Sequence, residues 1–329
     1  MSEHRAAMCR TIGPPEGVAV ERVDVPAVGP GQVRVRVHTA SVNFPDVLVI
    51  ADQYQIKVPV PFVPGSEFAG VVDEVGGGVD TVAPGDRVFG SVMVGAFAEH
   101  VITTPAGLTP VPDGVAMDVA AGFGVAHRTA YHVLRSVALS QPGEELVVLG
   151  AGGGVGLAAV QLGKVLGATV TAVASSAEKL DAARACGADR LVNYRDADLR
   201  ETLRELLPGG ADVVVDPVGG DLSEPALRAL RFDGRFVTVG YASGVIPRIK
   251  LNLVLLKGIR ILGFEFRSFV EHRAQDMARD EAELLALLAD GRATPYVGAR
   301  FDLDQVVEAL RHVADGKAIG KVLLDVADG

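Results

Sequence analysis

Hydrophobic and polar residues change rhythm along this chain. Up to about residue 120 they alternate or cluster in short runs, as in Val33-Arg-Val-Arg-Val37 and at 68–75. Turn signals at Pro30-Gly31, Gly76 to Gly78 and Pro84-Gly-Asp86 cut these runs. Branched residues at a period of two fit a pleated surface with one buried face, and Gly and Pro supply the connections. Short strands at this spacing predict a small barrel or sandwich. From about residue 145, apolar runs at 145–151, 169–175, 190–194, 212–218, 234–241 and 259–264 alternate with helical stretches at 154–167, 177–187 and 197–207. Crossover helices enforce parallel pairing, so this segment predicts a doubly wound α/β sheet of six strands. Helical stretches at 280–289 and 304–314 and an apolar run at 321–326 exceed what such a sheet needs. The tail is expected to fold back onto the first domain, giving domains at 1–124, 125–264 and 265–329.

Composition narrows the class. Of 329 residues, 49% are hydrophobic and 22% charged, which supports packed cores and excludes a disordered chain. The net charge of −10 repels polyanions, so nucleic acid and anionic membranes are not expected as partners. Two cysteines, Cys9 and Cys186, are too few for a disulfide framework or a four-cysteine metal site, and fit a reducing compartment. The opening Met-Ser-Glu-His-Arg lacks the apolar core of a signal peptide. The stretch 146–163 carries no charge, but its clustered glycines suit a strand–turn–helix and not a bilayer helix. These features predict a cytoplasmic protein.

The strongest chemical signal is the run Gly150-Ala-Gly-Gly-Gly-Val-Gly156, after an apolar strand and before a helix. Glycines at such a turn let the backbone approach a diphosphate, and the helix N-terminus supplies N–H donors; the bland alternative is only a tight connection. Gly150, Gly153, Gly154, Val155 and Gly156 are thus cofactor candidates. An NAD site places an acid about 20 residues further on to bind the ribose 2′-hydroxyl. Counting from Gly156 instead reaches Ser175 and Ser176, with Lys179 one helical turn later. Hydroxyls and a cation suit a 2′-phosphate, predicting NADP(H), although Lys179 could equally be a solvated helix lysine.

The stretch from Gly143-Glu144 through Gly153-Gly-Val-Gly156 to Gln161 and Lys164 resembles the signature of the zinc-free quinone oxidoreductase (zeta-crystallin-like) branch of the medium-chain dehydrogenase/reductase superfamily. Val147 departs from it, where the signature prefers leucine. Asn43-Phe-Pro-Asp46, Tyr54, Pro64-Gly-Ser-Glu67, 84–88 and Thr129-Ala130 extend the resemblance over nearly the whole chain. It implies a barrel-like, mainly β (GroES-like) catalytic domain with the dinucleotide domain inserted, an active cleft between domains, and homodimers formed through an edge strand, here 259–264. Related alcohol dehydrogenases hold zinc with Cys and His where this chain has Asn43 and Ser66, and the lobe for a structural zinc is absent. No metal is therefore expected, and His127 and His132 are spaced awkwardly for one on a helix.

By the same resemblance, Tyr54 either donates a proton as hydride arrives or walls the nicotinamide pocket. Asn43 either hydrogen-bonds cofactor or substrate or only forms a turn. Thr129, opening a helix at 127–134, either meets the nicotinamide or caps that helix. Tyr194 lies near the adenosine phosphate or packs in the core. Gly219, Gly240 and Tyr241 close strands on the cofactor side, and Phe264 offers backbone contacts near the carboxamide. Together these imply NADPH-dependent reduction of quinones or conjugated enones and enals. A 2-enoyl-thioester reductase, with Arg267 and Arg273 as cations for a coenzyme A phosphate, is the alternative within the class. A non-enzymatic NADPH-binding protein is another. Only 17 Phe and Tyr and no Trp leave no aromatic–basic platform for RNA.

Overall fold

In the computed structural model, which describes residues 2–327, the rhythm of two becomes strands β1 (Glu3–Cys9), β2 (Val18–Asp24), β3 (Val33–Val42), β4 (Glu67–Val75), β5 (Arg87–Ser91), β6 (His100–Thr103) and β7 (Leu108–Pro110). A short helix, α1 (Phe44–Ile50), follows β3. Val33, Val35 and Val37 are fully buried on one face of β3, while Arg36 and His38 stay exposed on the other. Burying such a side chain contributes roughly 1.5–3 kcal/mol, enough to fix which face turns inward.

Helix α2 (Met117–His132) continues into one π turn at Val133–Val137. The alternation then runs β8 (Glu145–Leu149), α3 (Gly154–Val165), β9 (Thr169–Ala174), α4 (Ala177–Ala185), β10 (Arg190–Asn193), α5 (Leu199–Leu206), β11 (Ala211–Asp216), α6 (Ser223–Arg228), β12 (Leu230–Thr238), α7 (Asn252–Lys257) and β13 (Arg260–Gly263). All six strands pair in parallel in the order β10-β9-β8-β11-β12-β13, the arrangement of a dinucleotide-binding sheet. Every residue of β11 is buried, as expected of a strand covered on both faces, whereas β13 forms an edge and exposes Arg260 and Ile261. Helices α8 (Phe266–His272) and α9 (Ala274–Ala289) follow.

The chain closes with β14 (Val297–Asp302), α10 (Val306–Ala314) and β15 (Lys321–Asp325). β15 pairs antiparallel with β3 and parallel with β14, building a seven-stranded sheet of order β14-β15-β3-β4-β5-β7 with β6 also on β3. The two-domain α/β architecture is therefore a Rossmann sheet inserted into a β-rich, GroES-like domain. The residues divide into one unit up to Val125 and from Val297 onward, and a second unit, Ala126–Tyr296.

Two sequence expectations need correction. Thr129 does not open a helix, because α2 begins at Met117. Nearly every residue from 117 to 126 is apolar or glycine, which hides the helical period. The return also begins later than residue 265. Helices α8 and α9 belong to the second unit, where Arg128 grips Glu281 at 2.7 Å and buried His132 meets Asp280 at 3.0 Å. Those partners lie about 150 residues apart in sequence, beyond the reach of any local pattern. Among the described residues, no helix is long and apolar enough to cross a membrane.

Candidate functional site

The second unit carries the glycine turn between β8 and α3. Gly150 adopts φ +61°, a left-handed conformation that costs glycine little. A Cβ on Gly150 would stand 2.6 Å from Val218, one on Gly152 2.5 Å from the Lys179 side chain, and one on Gly156 2.1 Å from the Gly150 carbonyl oxygen. Packing alone dictates these three. Gly153 differs, for the nearest atom to its missing Cβ is 3.7 Å away. It is also the N-cap of α3 and offers no side chain to cap the helix. The N–H groups of Gly154, Val155 and Gly156 therefore lack intrahelical acceptors, and with the helix dipole they are chemically suited to an anion such as a diphosphate.

Neighbouring strand ends carry the other predicted residues. Ser175 follows β9, and the Tyr194 N–H donates to the Ala174 carbonyl at 3.2 Å, which sets Tyr194 beside it. Ser176 caps α4, its hydroxyl accepting from the Lys179 N–H at 3.4 Å. Lys179 covers Gly152, and its pKa is lowered, first by burial and then by repulsion from Arg195. Two cations within electrostatic reach of one another suit a phosphate. Sequence reasoning missed Arg195; its position directly after Tyr194 at a strand end was the available signal. It also missed Asp216, whose buried carboxylate accepts from the Val218 and Gly219 N–H groups at 2.8 Å each and from the Ser223 hydroxyl at 2.6 Å. That clamp shapes the loop after β11. A Cβ on Gly219 would lie 2.9 Å from the Tyr241 ring, and one on Gly240 3.5 Å from the Pro217 carbonyl oxygen. The carboxyl ends of β8, β11 and β12 thus bring Gly150, Gly219, Gly240 and Tyr241 together.

Phe264 is more committed than expected. Its N–H donates to the Thr238 carbonyl at 3.1 Å, which leaves only its carbonyl for an outside contact. Its ring stacks on His132, with centroids 6.2 Å apart. Burial opposes a charge on His132, but hydrogen bonds to Asp280 and Glu281 outweigh it and raise the pKa. Thr129 is half-buried within α2. Two signature residues serve packing. The Gln161 side-chain oxygen accepts from the Thr294 N–H at 3.0 Å, and Lys164 binds Asp189 at 2.8 Å and the Ala168 carbonyl at 3.0 Å.

The first unit holds Asn43 and Tyr54. Asn43 precedes α1, and its N–H donates to the Asp46 carboxylate at 2.7 Å. Its Nδ2 donates to Glu67 Oε2 at 3.0 Å and to the Ser41 carbonyl at 3.3 Å. Its Oδ1 accepts from Lys321 Nζ at 2.5 Å. Lys321 also meets Glu67 Oε2 at 2.9 Å, and Glu67 Oε1 accepts from the Val125 N–H at 2.7 Å. Asn43, Asp46, Glu67 and Lys321 are all buried. Desolvation pushes Asp46 up to about 7, against hydrogen bonds from the Asn43 N–H and the Ser66 side chain. Tyr54, in the turn after α1, is half-buried against the core of this unit. Neither Glu67 nor Lys321 featured in the sequence reading as a functional residue.

A zinc ion would need three or four close N, S or O ligands. Here Asn43 and Ser66 stand at the expected ligand positions, Glu67 is bound to an ammonium, and among the described residues no three His, Cys, Asp or Glu are grouped to hold a metal. The residues do not fit zinc, and Lys321 supplies the positive charge that Glu67 requires.

Two family models match, the alcohol dehydrogenase GroES-like domain over residues 29–113 and the zinc-binding dehydrogenase over 154–287. The chain is 38% identical to quinone oxidoreductase-like protein 2 of Bos taurus over 325 residues, covering 98% of this chain and 93% of the relative. It is similar to a probable oxidoreductase from Mycobacterium abscessus, with a TM-score of 0.89, 32% identity, and 98% and 99% of the two chains covered. It is also similar to Escherichia coli quinone oxidoreductase complexed with NADPH, with a TM-score of 0.89, 26% identity, and 98% and 99% covered. With an inserted six-stranded sheet, a glycine-rich turn after its first strand, and Asn43 and Ser66 where zinc ligands would stand, the chain belongs to the zinc-free quinone oxidoreductase-like branch of the medium-chain dehydrogenase/reductase superfamily.

Proposed function

We propose that this protein is an NADPH-dependent, zinc-independent reductase of quinones and α,β-unsaturated carbonyls. The observation that carries the cofactor half is the uncapped helix start at Gly153, where a Cβ would make no contact closer than 3.7 Å, with Lys179 and Arg195 close by. Gly154, Val155 and Gly156 bind the diphosphate through main-chain N–H groups, and Ser175, Lys179 and Arg195 bind the 2′-phosphate. Ser176 serves mainly to cap α4. Thr129, Gly219, Gly240, Tyr241, Tyr194 and the Phe264 carbonyl line the rest of the cofactor site. Bound NADPH supplies the hydride.

On the acceptor side, Tyr54 Oη donates a proton or hydrogen bond to the oxygen on which charge gathers. A phenol stays protonated at neutral pH and suits that role. Asn43, its carboxamide held by Lys321, Glu67 and the Ser41 carbonyl, hydrogen-bonds cofactor or substrate from the start of α1. Conjugated acceptors spread incoming charge over ring and carbonyl, so positioned donors suffice where alcohol oxidation calls on a Lewis acid.

The test is NADPH oxidation with naphthoquinone, 2-alkenals and crotonyl-CoA, paired with fluorescence titration of NADPH and NADH. Turnover of the first two with NADPH bound more tightly is expected. Turnover of crotonyl-CoA alone would make the enzyme a thioester reductase, and turnover of none would leave a binding protein. We also propose a cytoplasmic homodimer joined through β13, whose edge is flanked by exposed Ile261, Leu255, Leu256 and Phe232. A monomer by light scattering at micromolar concentration overturns the dimer.

A further inference from the structure

We propose that Lys321 is a positioning residue: its buried ammonium locks the Asn43 carboxamide in one orientation and neutralises Glu67. The proposal rests on the reading above that Asn43 serves the reaction, but its structural half can be judged separately. A carboxamide presents an acceptor on one side and two donors on the other, and can turn over by 180° with little change in shape. Each of its three partners here has a single polarity. Lys321 Nζ only donates, at 2.5 Å, and the Glu67 carboxylate and Ser41 carbonyl only accept, at 3.0 and 3.3 Å. Turning the amide over would make all three contacts repulsive.

Lys321 is the one ammonium in this set, and it opens β15, where it pairs with Val297 of β14. It is 4% exposed and Glu67 is 1% exposed, so neither charge has water to fall back on. A buried ion pair is seldom more stabilising than apolar residues of like size, so its place beside a site residue calls for another role. Here that role is the bond to Asn43. Glu67 extends the same chain of contacts to the Val125 N–H of α2.

The chain has three asparagines, Asn43, Asn193 and Asn252, so selective 15N-asparagine labelling gives a readout independent of turnover. The variants are Lys321→Met, Lys321→Arg, Asn43→Ala and Asn43→Ala/Lys321→Met, assayed for naphthoquinone kcat, NADPH Kd and folding by circular dichroism. In Lys321→Met, the Asn43 side-chain amide resonances are expected to shift or broaden. Its kcat should fall about tenfold, and any change in NADPH Kd should be matched by Asn43→Ala. Asn43→Ala should fall similarly and the double variant no further, because residues acting as a unit are non-additive. Lys321→Arg keeps the charge but moves the donors, so it should fold, recover part of kcat and still shift the Asn43 amide.

Unchanged Asn43 resonances in Lys321→Arg, or additive losses in the double variant, overturn the proposal. If Lys321→Met fails to fold, Lys321→Arg decides by the same two readouts, amide position and kcat. If the wild type turns over no acceptor, the functional reading falls while the amide spectra still judge the orientation claim.

Discussion

The glycine cradle and the Asn43–Glu67–Lys321 cluster solve opposite problems. The cradle comes from seven consecutive residues, 150–156, and works through main-chain N–H groups, so it needs no side chain and no charge. Its demand is steric: Gly156 has its neighbour's carbonyl oxygen 2.1 Å from where a Cβ would be. The cluster joins residues 254 and 278 positions apart and works only through side chains of fixed polarity, two of them charged and buried. A backbone site fails when something is added, and a buried polar cluster fails when something is removed.

Removal from the cluster should have the largest effect. Lys321→Met leaves Glu67 as an unpaired buried carboxylate, and denaturant unfolding should show a loss of about 3–5 kcal/mol. Adding Glu67→Gln should recover part of it, and no recovery would show that the charge itself is not the cost. Addition to the cradle comes next. Gly156→Ala should weaken NADPH binding at least ~100-fold, about 2.7 kcal/mol by fluorescence titration. Gly153→Ala is the sharper version. Its methyl has room in the protein, so stability should hold while NADPH affinity drops; equal affinity would mean that the space is not for a ligand.

Tyr54→Phe separates chemistry from scaffolding in the first unit. If the phenol donates, kcat with naphthoquinone should fall about tenfold to 100-fold with NADPH Kd unchanged. Full kcat would make Tyr54 a wall. The smallest effect comes from the second buried charged cluster, at His132. Its raised pKa means that it stabilises the fold fully below the ordinary value of 6.5, and that this is lost as pH rises through the elevated value. Asp280 and Glu281, both lowered by hydrogen bonds to His132 against desolvation, contribute above the ordinary carboxylate range and lose this as pH falls through their lowered values. The stability gap between wild type and His132→Gln should therefore be widest from mildly acid pH up to about 6.5 and narrow toward alkaline pH. A pH-independent gap would mean that the ring is held neutral.

Much was legible wherever function follows from neighbours in sequence. The β–α alternation from residue 145, the turn at 150–156 and the absence of an acid at the Ser175-Ser176 tip all lie in local order. Less local features escaped. The start of α2 was hidden because residues 117–126 carry no polar face to reveal a period. β14, with alternating exposure along Val297–Asp302, follows two helices of the other unit, and a turn such as that at 290–296 does not by itself say that the chain passes from one unit to the other. Ser176, expected beside a phosphate, is also the N-cap of α4, its hydroxyl accepting from the Lys179 N–H.

The sequence by itself determined the type and order of most elements, the parallel sheet and the glycine-rich turn, because each depends on periodicity or on glycine's lack of a side chain. Only the tertiary structure decided that Lys321 meets Glu67 and Asn43, that Arg195 approaches Lys179 and that His132 is clamped by Asp280 and Glu281. Charged and polar partners are chosen by distance and desolvation in the folded state, and residues remote along the chain leave no local pattern of that choice.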